Sequence, residues 1–294
     1  MSSEFVFDIF DLVCSGHSTF NSILARQIPF ELVPENDNVN CDVIIPHKGD
    51  DFYLNVLLKF IHSRGLNILI GLDGGLNSDT ATIIKTKFSE AKYYNFEPSP
   101  VGPYVVRNRL IDEGENELIF FQDSDDLPCT DRFSTLSRFI LNNHAQYCGS
   151  HEIQMDYEKK TLRAIRYPLN VKDALKVGMG HSLLHPSAVI LRKAFYLCNR
   201  LSEERTFGND TKFLYYSYFY LDKILNINQF LYIRRIRPDS LTTSPNTVIG
   251  SPARIHLMKN LTRDFCLGKL SKLDIEESWL SFQATKIDVS ITKL

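Results

Sequence analysis

Between residues 41 and 142, short apolar runs of strand character alternate with segments of helical period, and this alternation limits the available folds more than any other feature. "CDVIIP" reads as a buried strand, and "DDFYLNVLLKFIHSRG" as a helix with Leu54, Leu57, Leu58 and Ile61 on one face and Gly65 as its stop. The unit then repeats. "LNILIGLDGG" is a second strand, "NSDTATIIKTKFSE" a second helix capped in the Asn77 to Asp79 region, and "KYYNF" a short third strand. "GPYVVRNRLIDEG" is a helix opened by Pro103, where a missing N–H costs little. It leads into the strand "ELIFF". Such a chain predicts a mixed, mostly parallel sheet covered by helices on both faces, with ligands bound beyond the carboxyl ends of the strands.

Three carboxylates, Asp123, Asp125 and Asp126, stand at such an end, in "LIFFQDSDDLP". Adjacent carboxylates repel, so they call for a counter-charge, and a divalent cation supplies the strongest one. Oxygen-only ligation suits Mg²⁺ or Mn²⁺, which takes one or two protein carboxylates and completes its shell with water and substrate phosphates. The same residues can instead serve only as a cap for the helix "TDRFSTLSRFILNN", since acidic groups suit a helix N-terminus.

The composition fits a soluble globular protein. The chain has 294 residues, a formal charge of -2 and 44% hydrophobic residues, so nucleic acid is not expected as the main partner. Six cysteines stand singly with no C-x-x-C spacing, which argues against a zinc ribbon or redox pair and for a reduced cytoplasmic protein. The start "MSSEFVFDIFDLVC" does not read as a signal peptide, and the aromatic run "FLYYSYFYL" is too short to cross a bilayer. The expected organisation is an N-terminal extension over 1–40, a main α/β domain over 41–250 and a helical C-terminal extension over 251–294. Beyond residue 144 the pattern changes to a strand pair in "AQYCGSHEIQMDY" and "TLRAIRYP", a helix over 209–222, the strand "FLYIRRI" and a helical tail from about Pro252. Amphipathic stretches such as "ARIHLMKNLTRDFCLGKL" can pack on the sheet, form a homodimer or make peripheral membrane contact. Their recurrent acidic residues favour the first two.

The motifs "CDVIIPHKGD", "LIGLDGG", "GPYVVRN", "FFQDSDD" and "FGNDTKFL", followed by "LYIRRIRPDSLTTSP", occur in the order and approximate spacing of the family 2 glycosyltransferases of GT-A fold. From about Cys41 to about Pro245 the chain resembles that family. The resemblance implies a Rossmann-like α/β domain that inverts configuration while moving a sugar from a nucleotide diphosphate donor, a UDP-sugar first among them, to a hydroxyl of a glycan or lipid-linked acceptor. The setting it implies is bacterial surface polysaccharide synthesis, in the cytoplasm or at the inner face of the membrane.

Matched residue by residue, it implies that Asp125 contacts a Mn²⁺ or Mg²⁺ ion, with Asp123 beside it on the metal shell or the ribose. Pro46 and His47 would line the base, Asp73 would lie near base or ribose, and Ser124 and Arg107 would join the nucleotide-sugar contacts. Asp210, in "GND", stands at the position of the catalytic base. Three positions depart from the pattern: Leu72 and Asn209 replace acidic residues, and Arg237 replaces a metal-binding His. An arginine cannot ligate a cation, but its planar fork can hold a diphosphate, so Arg237 is counted with the nucleotide-sugar contacts.

Plainer readings exist for several of these residues. Asp210 can be an N-cap, Arg107 a surface charge, and the aromatics Phe213 to Tyr220 core packing, which is the better reading for them. Arg234 and Arg235 suit a solvated edge strand equally well. His181 and His185 have an H-x-x-x-H spacing, yet Pro186 argues against a zinc-binding helix there. Two other functions stay open: a nucleotidyltransferase, for which "PHKGDD" is a poor phosphate loop, and a GT-A-like nucleotide or glycan-binding module without catalysis.

Overall fold

The computed structural model describes residues 39–49, 51–61, 65–75, 78–129, 132–156, 161–177, 187–203, 207–236, 240, 243, 248, 250–267 and 289–294. The strands are β1 (Cys41–His47), β2 (Asn67–Leu72), β3 (Lys92–Glu97), β4 (Leu118–Phe121), β5 (Leu127–Pro128), β6 (Tyr147–Asp156), β7 (Thr161–Ile165), β8 (Val189–Leu191), β9 (Ile224–Ile236) and β10 (Ser290–Lys293). The helices are α1 (Asp51–Ile61), α2 (Ser78–Lys87), α3 (Pro103–Glu113), α4 (Arg132–Asn142), α5 (Val171–Val177), α6 (Arg192–Leu197), α7 (Asn209–Tyr220) and α8 (Pro252–Cys266).

The expected α/β architecture is the one found: a mixed sheet in the order β10-β3-β2-β1-β4-β8-β6-β9-β5, with β7 paired to β6. Strands β3, β2, β1 and β4 run parallel, so their carboxyl ends share one edge. Strand β8 joins β4 and β6 antiparallel, and β9 returns parallel to β6. The predicted pair β6–β7 is antiparallel, as a short connection requires. The tail does not end as a helix. After α8 the chain adds β10 antiparallel to β3, which covers that sheet edge.

Side chains alternate across the pleat and build a core on each face. Val43 and Ile45 of β1, Ile68 and Ile70 of β2 and Phe120 of β4 join Leu54, Leu57, Ile84 and Leu136 from α1, α2 and α4. Ile44, Leu69, Ile119 and Phe121 point the other way, onto Tyr104, Val106 and Leu110 of α3, Phe195 of α6 and Phe213 of α7. Helix α3 lies very close to β2. A Cβ added at Gly71 would sit 2.3 Å from Val106 Cγ1 and 2.9 Å from Phe96 Cε2, so only glycine permits this approach.

At the opposite end of the sheet, Asp42 is fully buried and accepts from Arg192, from Asn67 Nδ2 at 2.6 Å and from Asn116 Nδ2 at 2.6 Å. That network fixes the start of β1, while the carboxyl ends stay open for loops. Among the described residues, no helix is long and apolar enough to cross a membrane.

His151 sits where the β6–β9 register shifts and is 1% exposed. Its Nδ1 accepts from the Tyr167 backbone N–H at 3.1 Å and its Nε2 donates to Asn228 Oδ1 at 3.0 Å, which defines a neutral ring. Protonation would destroy the Nδ1 acceptor. Burial holds the imidazole below its ordinary value of 6.5, the Asn228 bond opposes this, and Arg166 adds to the depression. The unfolded chain therefore takes up a proton near pH 6.5 while the folded chain does not, so stability falls as pH drops through that value. Thermal unfolding between about pH 7.5 and 5.5 is expected to show a loss of Tm that shrinks in His151→Gln. Equal slopes in the two proteins would remove His151 as the cause.

Candidate nucleotide-sugar site

The site forms where β1, β2 and β4 end side by side. The Asp73 N–H donates to His47 O at 2.9 Å, and the Gln122 N–H to Ile44 O at 3.1 Å, so each loop begins tied to β1. His47 closes this edge: its Nε2 donates to Asp51 Oδ1 at 3.0 Å, and its Nδ1 lies 3.0 Å from Ser124 Oγ. The buried ring and the half-buried Pro46 thus set the wall beside the carboxylate turn.

The three carboxylates of that turn have three different surroundings. Asp126 is 4% exposed and accepts from Tyr232 Oη at 2.9 Å and from the Arg235 N–H at 2.8 Å, both on β9. Burial, then the charges of Asp125 and Asp123, push its carboxyl well above the usual range. Asp123 accepts from the Arg107 guanidinium. Asp125 is half-buried. The turn does not cap the next helix, because β5 intervenes, pairing Leu127 with Ile233 and Pro128 with Tyr232 before α4 starts at Arg132. Asp126 is the member of the cluster that fastens the turn to β9.

Helix α3 gathers the other candidates. Its N-cap Gly102 has φ 91°, a conformation that favours glycine, and Pro103 follows it. Asp73 accepts from the N–H of Val101 at 2.7 Å and of Gly102 at 2.9 Å, so both its oxygens hold the start of this helix. In the next turn Tyr104 donates its hydroxyl to Asp210 Oδ1 at 3.1 Å. Arg107, one turn further, reaches Asp123, and its guanidinium carbon lies 5.7 Å from the Tyr104 ring centre. It is 8% exposed and therefore no surface charge. Burial, and after it the Asp210 carboxylate, raise the Tyr104 hydroxyl above its ordinary value, so it is a hydrogen-bond donor at neutral pH.

Asp210 lies in the first turn of α7, after Gly208 in the left-handed conformation at φ 83°. The N-cap is Gly208, so Asp210, two positions on, is not the cap residue. Helix α8 packs against this start: a Cβ on Gly208 would meet Leu257 Cδ2 at 2.5 Å, and the Arg254 guanidinium lies 5.2 Å from the Phe207 ring centre. Further along, Phe265 contacts Tyr215, Tyr218 and Phe219 with ring centres 5.2 to 5.9 Å apart. The aromatic run of α7 is packing, as its composition suggested.

Arg132, which sequence reasoning passed over, is fully buried behind the carboxylate turn. It donates to Ser187 O at 2.8 Å, Phe121 O at 3.1 Å and Gln122 Oε1 at 3.3 Å, and Gln122 in turn donates to the carbonyls of Asp123 and Asp126. The rings of Phe120, Phe133 and Tyr232 surround its guanidinium at 5.2 to 5.3 Å. Burial pulls the guanidinium down to about 10, still charged at neutral pH. The local sequence carries little sign of this: Arg132 stands between Asp131 and Phe133, at the first position of the helix.

Arg235 is buried with its guanidinium 5.0 Å from the Tyr53 ring centre, and Arg234 is half-buried near Asp126 and Glu152, so neither belongs to a solvated strand. Arg237, His181 and His185 lie outside the described residues. Cys41, Cys129, Cys148 and Cys198 are buried free thiols, and burial pushes Cys41, Cys148 and Cys198 up to about 12, which leaves them without nucleophilic character. Among the described residues, no group of three or more His, Cys, Asp or Glu side chains could hold a metal ion.

Solved structures share this fold. S. aureus TarS 1–349 in complex with UDP-GlcNAc matches with a TM-score of 0.63 and 16% identity over 83% of this chain and 72% of that one. Its complex with UDP matches with a TM-score of 0.60 and 15% identity over 83% and 71%. The chain spans 60% of one further TarS 1–349 structure and 37% of a longer TarS structure. No family model matches the chain, and no curated protein matches it.

Arg132→Met keeps the side-chain volume but strands the carbonyls of Phe121 and Ser187. It is expected to cost roughly 2–4 kcal/mol and to lower Tm by about 3–7 °C. A Tm within about 2 °C of wild type by scanning calorimetry would show that the turn is held by other contacts.

Proposed function

We propose that the chain is an inverting glycosyltransferase of the family 2 type, transferring a sugar from a UDP-sugar to a hydroxyl of a glycan or lipid-linked acceptor in surface polysaccharide synthesis. The observation that carries this reading is that Asp123, from the turn after β4, and Asp210, from the start of α7, are both bound by side chains of the first two turns of α3 at the carboxyl ends of parallel strands. TarS structures of the same fold that contain UDP and UDP-GlcNAc support a uridine donor.

In this reading Pro46 and His47 flank the base, and Ser124 is held by His47 next to the diphosphate. Asp73 fixes the start of α3 through the N–H groups of Val101 and Gly102, and its carboxylate oxygens keep further lone pairs with which to meet the base or ribose. Arg107 and Arg237 supply positive charge towards the leaving diphosphate. Asp123 and Asp125 offer oxygen donors that suit Mg²⁺ or Mn²⁺, and the repulsion they exert on buried Asp126 is the stress a cation would relieve, so the residues fit such an ion. Bound there, it would neutralise charge growing on the leaving group. Asp210, on the acceptor side, takes the proton of the attacking hydroxyl, and Tyr104 holds that carboxylate in place.

Calorimetry with UDP, GDP, dTDP and CDP, each with and without Mn²⁺, tests the donor side. UDP is expected to bind, more tightly with Mn²⁺, and Asp125→Ala to lose the metal effect. Silence across the panel, or an unchanged metal effect in Asp125→Ala, would remove the metal-assisted reading. Asp210→Asn is expected to keep UDP binding while turnover falls by about 10²- to 10⁴-fold. Turnover within a few fold of wild type would mean that another group is the base.

A further inference from the structure

We propose that Tyr104 is a positioning residue for the base, and that it ties the acceptor-side carboxylate Asp210 to the donor-side carboxylate Asp123 through Arg107. The inference rests on the transferase reading above and adds to it a residue that none of the recognised motifs assigns.

Asp210 follows a left-handed glycine, which as N-cap has no side chain to hydrogen-bond the start of the helix. The Tyr104 hydroxyl, 3.1 Å from Oδ1, supplies a restraint from another element. Tyr104 is itself held, since it is 7% exposed and packs in the core with Phe213 and Leu214 of α7. Its ring lies against the Arg107 guanidinium, which is clamped to Asp123. A buried tyrosine requires a partner for its hydroxyl, and here the partner is the acceptor-side carboxylate itself. The oxygen that accepts from Tyr104 is turned towards α3, which leaves Oδ2 as the atom that takes the acceptor proton. Any shift of Asp123 on donor binding is passed to Arg107 and then to the ring on which Asp210 rests.

Tyr104→Phe deletes the hydroxyl and keeps the ring. It is expected to lower kcat by about 10- to 100-fold, because a misplaced catalytic group costs that much. Donor KM and UDP affinity should stay within about two-fold, and Tm within a few degrees. A purely structural role would not split kcat from KM in this way. The same substitution in the Asp210→Asn background is expected to cost less than about two-fold, since residues acting as a unit are not additive. A variant that merely weakened the fold would lose activity equally in both backgrounds. Wild-type kcat in Tyr104→Phe, an equal loss in KM and kcat, or a full further loss in Asp210→Asn would each overturn the inference. Were Asp210→Asn as active as wild type, the assignment of Asp210 as base would fall first, and the role of Tyr104 with it. An inactive Asp210→Asn beside a fully active Tyr104→Phe would remove only the role of Tyr104. Absence of nucleotide binding and turnover in the wild type would remove the transferase reading itself.

Discussion

The arrangement depends on the first two turns of α3. Asp73 fastens the start of that helix, Tyr104 meets Asp210 and Arg107 meets Asp123, so loops from three parts of the chain converge on one rigid segment. A helix suits the task, because positions three apart present side chains to the same side while the backbone keeps their spacing fixed. The segment is in turn pressed onto β2 at Gly71, where a side chain would have to displace Val106 and Phe96. Overpacking of this kind typically costs about 1–3 kcal/mol, and here the strain would fall on the segment that aligns the site.

Charge buried behind the site does the complementary work. Arg132 holds three acceptors and is ringed by three aromatic faces, while Asp126 is tied to β9 through Tyr232 and Arg235. Ser187 Oγ donates to Tyr232 Oη at 2.7 Å, which joins the two halves of the framework. Buried charges of this kind add little net stability, but they have few alternative partners and therefore specify one geometry. Asp123 and Asp125 stand in front of this frame with their orientation fixed by what lies behind them.

Much of this was legible in the sequence. The alternation of "CDVIIP", "LNILIGL" and "ELIFF" with amphipathic segments predicted the parallel sheet, because strand and helix periods are local properties. The carboxylate turn was legible as a loop at a strand end, and the aromatic run of α7 as packing. What escaped were long-range partners. Nothing local in "GPYVVRN" shows that Tyr104 faces Asp210, or that Asp73 accepts from the backbone of 101 and 102. The two-residue β5 is too short to carry a period, and β10 pairs with β3 across most of the chain. In each case tertiary contact decides among options that the local sequence leaves equal.

The contact of α8 with the start of α7 bears on how sequences of this kind can vary. Gly208 must keep a left-handed backbone and also leave room for Leu257, while Arg254 rests on Phe207 just before it. Positions 207, 208, 254 and 257 therefore form one compensating set that spans the apparent boundary between the α/β sheet domain and the tail. A larger side chain at 257 would press on Asp210 through two residues of backbone, so drift in the tail is bounded by the start of a helix it does not belong to.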